Sequence, residues 1–200
     1  MREFILRARR GPTTPDFSLD DLSRAGRLEI VAHCIANALF CANRLRSDVT
    51  IHIVLDGPSD PPKAVRLESG SLGSIGGFDE RSLCQTLQDA LGAGRGIALG
   101  EEVQAPSGAF VAKKGFETLV RERAAHSAAY VLSPRGPDIR EVEFSSDSTF
   151  VFTDHLSMPK KTAKYLRRIG LQPISVGPRS LFASQCVVLV HNELDRQGIL

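Results

Sequence analysis

Short apolar runs that end in turn residues alternate along this chain with segments of helical periodicity. That alternation constrains the fold more than any other feature. From Gly26 to Leu45, the residues Leu28, Val31, Ala32, Ile35, Leu39, Ala42 and Leu45 fall on one helical face. Val49–Leu55 alternates and then runs apolar, a strand that stops at Asp56-Gly57-Pro58. Glu3–Ala8 reads as an opening strand. Lys63–Leu67, Phe110–Ala112, Ala129–Leu132, Phe150–Thr153 and Pro173–Val176 read as further short strands. Helices are predicted from an Asp79 cap to about Leu91, over Gly115–Arg123, from near Pro159, and from a Ser184 cap toward Asp195. Ser69–Gly77 and Gly92–Gly100 read as loops. Strands alternating with helices define an α/β fold with a mostly parallel sheet and flanking helices. No repeat or composition break divides the chain, so residues 1–200 read as a single domain.

Composition excludes several classes. Hydrophobic residues at 42% and charged residues at 24% are those of a chain that builds a core, not of a disordered one. No apolar run approaches the ~18 residues a membrane span needs, and the first ten residues carry no signal-peptide core. A cytoplasmic protein is expected. The four cysteines form no CxxC pair; Cys34 and Cys41 fall seven apart within the helical pattern, as small buried hydrophobes would. His33, His52, His126, His155 and His191 have no metal-ligand spacing, so no metal is expected. There is no phosphate-loop lysine motif and no G-x-S-x-G elbow. Gly92-Ala93-Gly94-Arg95-Gly96 follows a helix instead of a strand and reads as a flexible connection.

Net charge is only +2, but its distribution is uneven. Arg7, Arg9 and Arg10 close the first strand, and Lys160, Lys164 and Arg168 share one face of a helix free of acids. Such clusters suit RNA phosphates, or are ordinary solvated surface. Aromatic content of 6% without tryptophan argues against an extensive base-stacking platform, and Phe17, Phe78 and Phe116 read as core. In the C-terminal third, Phe150–His155 is an apolar strand ending in polar residues, and Ile174–Leu181 a strand ending in a Gly-Pro turn. Ligands of open α/β sheets gather beyond such strand ends. Asp154 and His155 are therefore the candidate bases, with neither assigned; Glu193 and Asp195 read as solvated helix carboxylates.

Several blocks carry a resemblance that spans the chain. They are Phe4–Arg9, Pro15–Leu22, Gly26-Arg27-Leu28, Asp60-Pro61-Pro62-Lys63, Asp79–Ser82, Thr153-Asp154-His155, Ser175–Leu181 and Val188–Asp195. Together they resemble the SPOUT superfamily of RNA methyltransferases, and within it the archaeal tRNA pseudouridine N1-methyltransferase (TrmY) family. The resemblance implies an S-adenosyl-L-methionine (SAM) donor, N1-methylation of pseudouridine in tRNA, a homodimer and a C-terminal trefoil knot. It also implies a cofactor pocket lined by Leu132, Thr153, Gly177, Leu181 and Cys186, largely through main-chain groups. The apolar face Val187–Val190 with Leu194 is the surface expected to support the dimer. Thr153 stands where glycine is expected in the archaeal members, as in a bacterial branch of the family. That departure leaves an alternative open: a SAM-fold RNA-binding protein, or a SPOUT methyltransferase acting on a different RNA or base.

Overall fold

A computed structural model describes residues 1–42, 44–73 and 76–199. In chain order the elements are β1 (Arg2–Ala8), α1 (Leu28–Leu39), β2 (Phe40–Cys41), β3 (Arg44–Leu45), β4 (Val49–Leu55), β5 (Lys63–Glu68) and α2 (Glu80–Ala93). Then come β6 (Glu102–Gln104), β7 (Phe110–Ala112), α3 (Phe116–Ala124), β8 (Ala128–Leu132), β9 (Ser148–Thr153), α4 (Lys160–Arg168), β10 (Gln172–Ile174) and α5 (Ala183–Arg196).

The main sheet runs β10-β8-β9-β1-β4-β5-β7-β6. From β10 to β4 neighbouring strands are parallel; β5, β7 and β6 pair antiparallel at the other end. The sheet is mixed because β4 returns directly as β5, with a link too short for a crossover helix. In β1, Phe4 and Leu6 face a core shared with α1, α2 and α5, while Ile5 faces a second core shared with α3 and α4. Both faces are thus covered, which is why β1 and β4 are buried without alternation and Phe4–Leu6 and Ile53–Leu55 run apolar.

The amino ends of the parallel strands carry buried charge. Arg2 is 1% exposed and contacts Asp195 at 2.6 Å and Asp48 at 3.3 Å. His191 of α5 lies between Arg2 and α1: Nδ1 accepts from the Arg2 guanidinium at 3.1 Å, and Nε2 donates to the Ala38 carbonyl at 3.0 Å. Nearby, Glu3 accepts from His52 Nε2 at 2.7 Å, from Arg123 at 3.0 Å and from Thr149 at 2.8 Å.

The structure corrects several expectations. The helix expected up to Leu45 ends at Leu39, because Phe40 turns extended and Ala42 adopts a left-handed backbone (φ 53°) in the β2–β3 hairpin. Cys41 is accordingly exposed, unlike the buried Cys34. Phe78 is 59% exposed and leans on Phe40, so it is not core; Phe116 is. The helix expected from a Ser184 cap begins at Ala183, with the Gln185 side chain accepting the Phe182 N–H. Val187, Val190 and Leu194 are buried within their own subunit, and only Val188 of that stretch is strongly exposed. The short, polar β6 at the sheet edge carried no alternation to announce it.

Candidate active site

All the parallel strands end on one edge of the sheet, and the residues expected to hold a cofactor meet there. The segments that follow β8 and β10 are laced together: Ser133 N donates to Ile174 O, Ser175 N to Pro137 O, and Ile139 N to Ser175 O, each at 2.8 Å. Gly136 is needed for this approach, since a Cβ there would sit 2.6 Å from Ile174 N. Ser175 Oγ then accepts the Gly177 N–H and donates to the Gly177 carbonyl, closing a tight turn. Gly177 has φ 143°, which side chains rarely adopt, and a Cβ there would meet nothing within 4 Å. The turn thus opens a cradle.

Leu132, Gly177, Leu181 and Cys186 line a cleft of about 160 Å³ around that cradle. Leu132, Leu181 and Cys186 also border an adjoining cavity of about 580 Å³, whose walls include Thr153, Asp154, His155 and Arg27. The structure therefore brings all five expected cofactor residues around two joined spaces, of the size that takes a cofactor (roughly 300–1,000 Å³). Burial pushes the Cys186 thiol up, so it borders the cleft as a neutral group. Burial likewise raises the Asp154 carboxyl, against the opposing pull of the Leu156 N–H, His155 and Arg9. Arg27 was not among the expected site residues. It precedes α1 with a left-handed backbone (φ 69°) and pairs with Glu29 at 2.5 Å; a cap in that conformation has no sequence signal except the preceding glycine.

The expected RNA contacts divide. Arg9 and Arg10 are exposed, Arg10 bordering a separate cavity of about 590 Å³ with Thr14, Phe17 and Pro58. Lys160, Lys164 and Arg168 are exposed on α4, whose Lys164 and Arg168 flank an open depression with Tyr165. Arg7 differs. Its Nε donates to Asp56 at 2.7 Å, Nη1 to Thr162 at 3.2 Å, and its guanidinium lies over the Phe116 ring at 4.8 Å. It is a part-buried bracket tying β1, β4, α3 and α4 together, and its charge is already answered. Arg7→Ala is expected to cost roughly 1–3 kcal/mol, because Asp56 loses its partner. Urea unfolding measures this; an unchanged midpoint returns Arg7 to the free basic surface.

An open α/β sheet with a two-part cleft beyond the carboxyl ends of its parallel strands is the architecture of a nucleotide-ligand enzyme. Its glycine cradle and the buried carboxylate in its wall suit an adenosyl ligand that carries positive charge. The chain belongs to a family of SAM-dependent RNA methyltransferases: residues 1–199 match the family described as "Putative SAM-dependent RNA methyltransferase". It is 40% identical over 197 residues to a Vibrio cholerae protein named "Putative pseudouridine methyltransferase", with 98% of both chains covered. A Photobacterium profundum protein of the same name is 40% identical over 195 residues, again with 98% of both chains covered. The fold is similar to the crystal structure of Archaeoglobus fulgidus Nep1 bound to S-adenosylhomocysteine, with a TM-score of 0.63 at 12% identity, covering 99% of this chain and 98% of that one.

Proposed function

We propose that this protein methylates N1 of pseudouridine in RNA, with tRNA as the substrate class, acting as a cytoplasmic homodimer built from one domain with a C-terminal trefoil knot. The observation that carries the reading is the meeting of Leu132, Thr153, Gly177, Leu181 and Cys186 around joined cavities beside a buried carboxylate. When bound, SAM supplies an electrophilic methyl group on a positively charged sulfur. The Gly177 turn and the ends of β8 and β10 would hold its adenosyl portion, and Asp154 would place negative charge near the cationic centre. Pseudouridine is joined to ribose through carbon, so its N1 carries a proton and becomes a nucleophile as that proton is drawn away. The walls of the larger cavity would orient that ring, and alignment alone supplies roughly 7–11 kcal/mol in favourable cases.

Leu181, Phe182 and Val188 support the dimer: they are exposed at 39%, 73% and 47%, the first two just before α5 and the third within it. Thr153 borders the cavity at the position where glycine is expected in the archaeal members. Incubating the protein with labelled SAM and total RNA, followed by nucleoside analysis, tests the reading. N1-methylpseudouridine in the tRNA fraction is expected. Label in another nucleoside, or none in RNA, overturns it.

Phosphate contacts are assigned to Arg9, Arg10, Lys160, Lys164 and Arg168, which are exposed after β1 and on α4, the two elements that Arg7 ties together. Each neutralised phosphate releases counterions, so affinity should fall steeply with salt. Reversing Arg9 and Arg10 to glutamate is expected to weaken tRNA binding at least tenfold at low salt. The slope of log K against log salt should also shrink by about 1.4–1.8 if two contacts vanish. Filter binding across salt concentrations measures both; an unchanged slope removes the N-terminal cluster from the RNA surface.

A further inference from the structure

Asp154 and His155 share one wall of the larger cavity but are open to it unequally. The Asp154 side chain is 0% exposed. Its Oδ1 accepts the Leu156 N–H at 2.9 Å, and its Oδ2, sealed from solvent, has no hydrogen bond. That Oδ2 lies 3.3 Å from Nδ1 of His155, whose side chain is 25% exposed and borders the cavity. A sealed carboxylate cannot touch a substrate atom. An imidazole whose Nδ1 rests against that carboxylate turns its other nitrogen away from it.

We infer that His155 is the general base that takes the N1 proton, and that Asp154 is the positioning residue behind it. The inference rests on the proposed pseudouridine reaction. As the N1 lone pair forms its bond to the methyl carbon, the carbon–sulfur bond breaks and its electron pair remains on sulfur, which becomes neutral. The N1 proton passes to His155 Nε2, and the electrons of that N–H bond stay on the ring. The imidazolium then returns the proton to solvent. Asp154 sets the ring orientation through Nδ1 and balances the charge that appears on it, the arrangement that lets a carboxylate assist without itself meeting substrate. Apo geometry of 3.3 Å fits a contact that tightens when substrate arrives. The other charged groups near this pair are Arg9, after β1, and Arg27, which is held by Glu29. The Cys186 thiol, from α5, is neutral there.

Three measurements test it on the full chain with pseudouridine-containing RNA. First, wild-type kcat/KM should fall on the acid side as the base gains its proton. His155→Gln should lower the rate about 10²–10⁴-fold and abolish that limb. Second, Asp154→Asn should lower kcat at least tenfold while keeping the limb, and SAM affinity by calorimetry should be unchanged in His155→Gln. Third, diethyl pyrocarbonate should acylate His155, and bound RNA should protect it, with exposed His33 and His126 as internal references. A His155→Gln variant with wild-type rate and pH profile overturns the inference, as does acylation that RNA does not slow. If wild-type protein forms no N1-methylpseudouridine at any pH, the underlying reaction reading fails and this inference with it.

Discussion

Lowering the pH from 7 to 4 is expected to remove several kcal/mol of folding stability, and His191 is the main cause. Burial, then the neighbouring Arg46 and Arg2 guanidiniums, hold its imidazole neutral, with the pKa lowered from 6.5 to about 3. Between those values the unfolded chain binds a proton that the folded chain refuses, so stability falls as pH falls through that window. At about 1.36 kcal/mol per pH unit the full cost is about 5 kcal/mol, comparable with the roughly 5–15 kcal/mol that holds a typical domain folded. Glu3 adds to the loss at lower pH. Burial alone would raise its carboxyl, but the hydrogen bond and charge of His52, with Arg123 and Thr149, bring it to about 2 from 4.5. The stability it contributes is complete above about 4.5 and disappears as pH falls toward 2, a further cost of about 3 kcal/mol. Denaturant unfolding at a series of pH values measures both windows. His191→Gln keeps a donor for Ala38 and an acceptor for Arg2 without a titrating ring, so its stability should be nearly flat between pH 6.5 and 4.5. If wild type and variant fall in parallel, His191 does not govern the acid response.

The second large effect concerns Gly177. Replacing it by valine is expected to weaken binding of both SAM and S-adenosylhomocysteine at least a hundredfold. A Cβ at this position meets no protein atom within 4 Å, so the new side chain would stand in the cleft itself. The backbone at φ 143° adds strain of roughly 1–3 kcal/mol for any residue other than glycine. Calorimetric titration with both ligands reads the affinity, and thermal unfolding reads the strain separately. A large loss of affinity with a small shift in Tm is the expected pattern. Wild-type affinity in Gly177→Val would mean that the cleft at the β8 and β10 ends does not hold the cofactor.

Much of this protein is legible in its sequence. The apolar runs Phe4–Leu6 and Ile53–Leu55 belong to strands covered on both faces, and the turn residues that follow end the strands where the structure does. Asp79 caps α2, its carboxylate accepting the Ser82 N–H. The strand ends at Leu132 and Thr153 and the Gly177–Leu181 turn locate the cleft, because a parallel sheet collects its carboxyl ends on one edge. What local pattern cannot carry is the partner of each side chain. Arg7, Arg9 and Arg10 are the same residue type at the close of one strand, yet only Arg7 meets Asp56, forty-nine positions away, and is drawn into the fold. Val187, Val190 and Leu194 look like a docking face until α1 covers them within the same subunit. Asp154 and His155 are adjacent in sequence and equal as candidates. Only the packed chain seals one and opens the other, because burial depends on what distant segments bring against a strand end and not on the residues beside it.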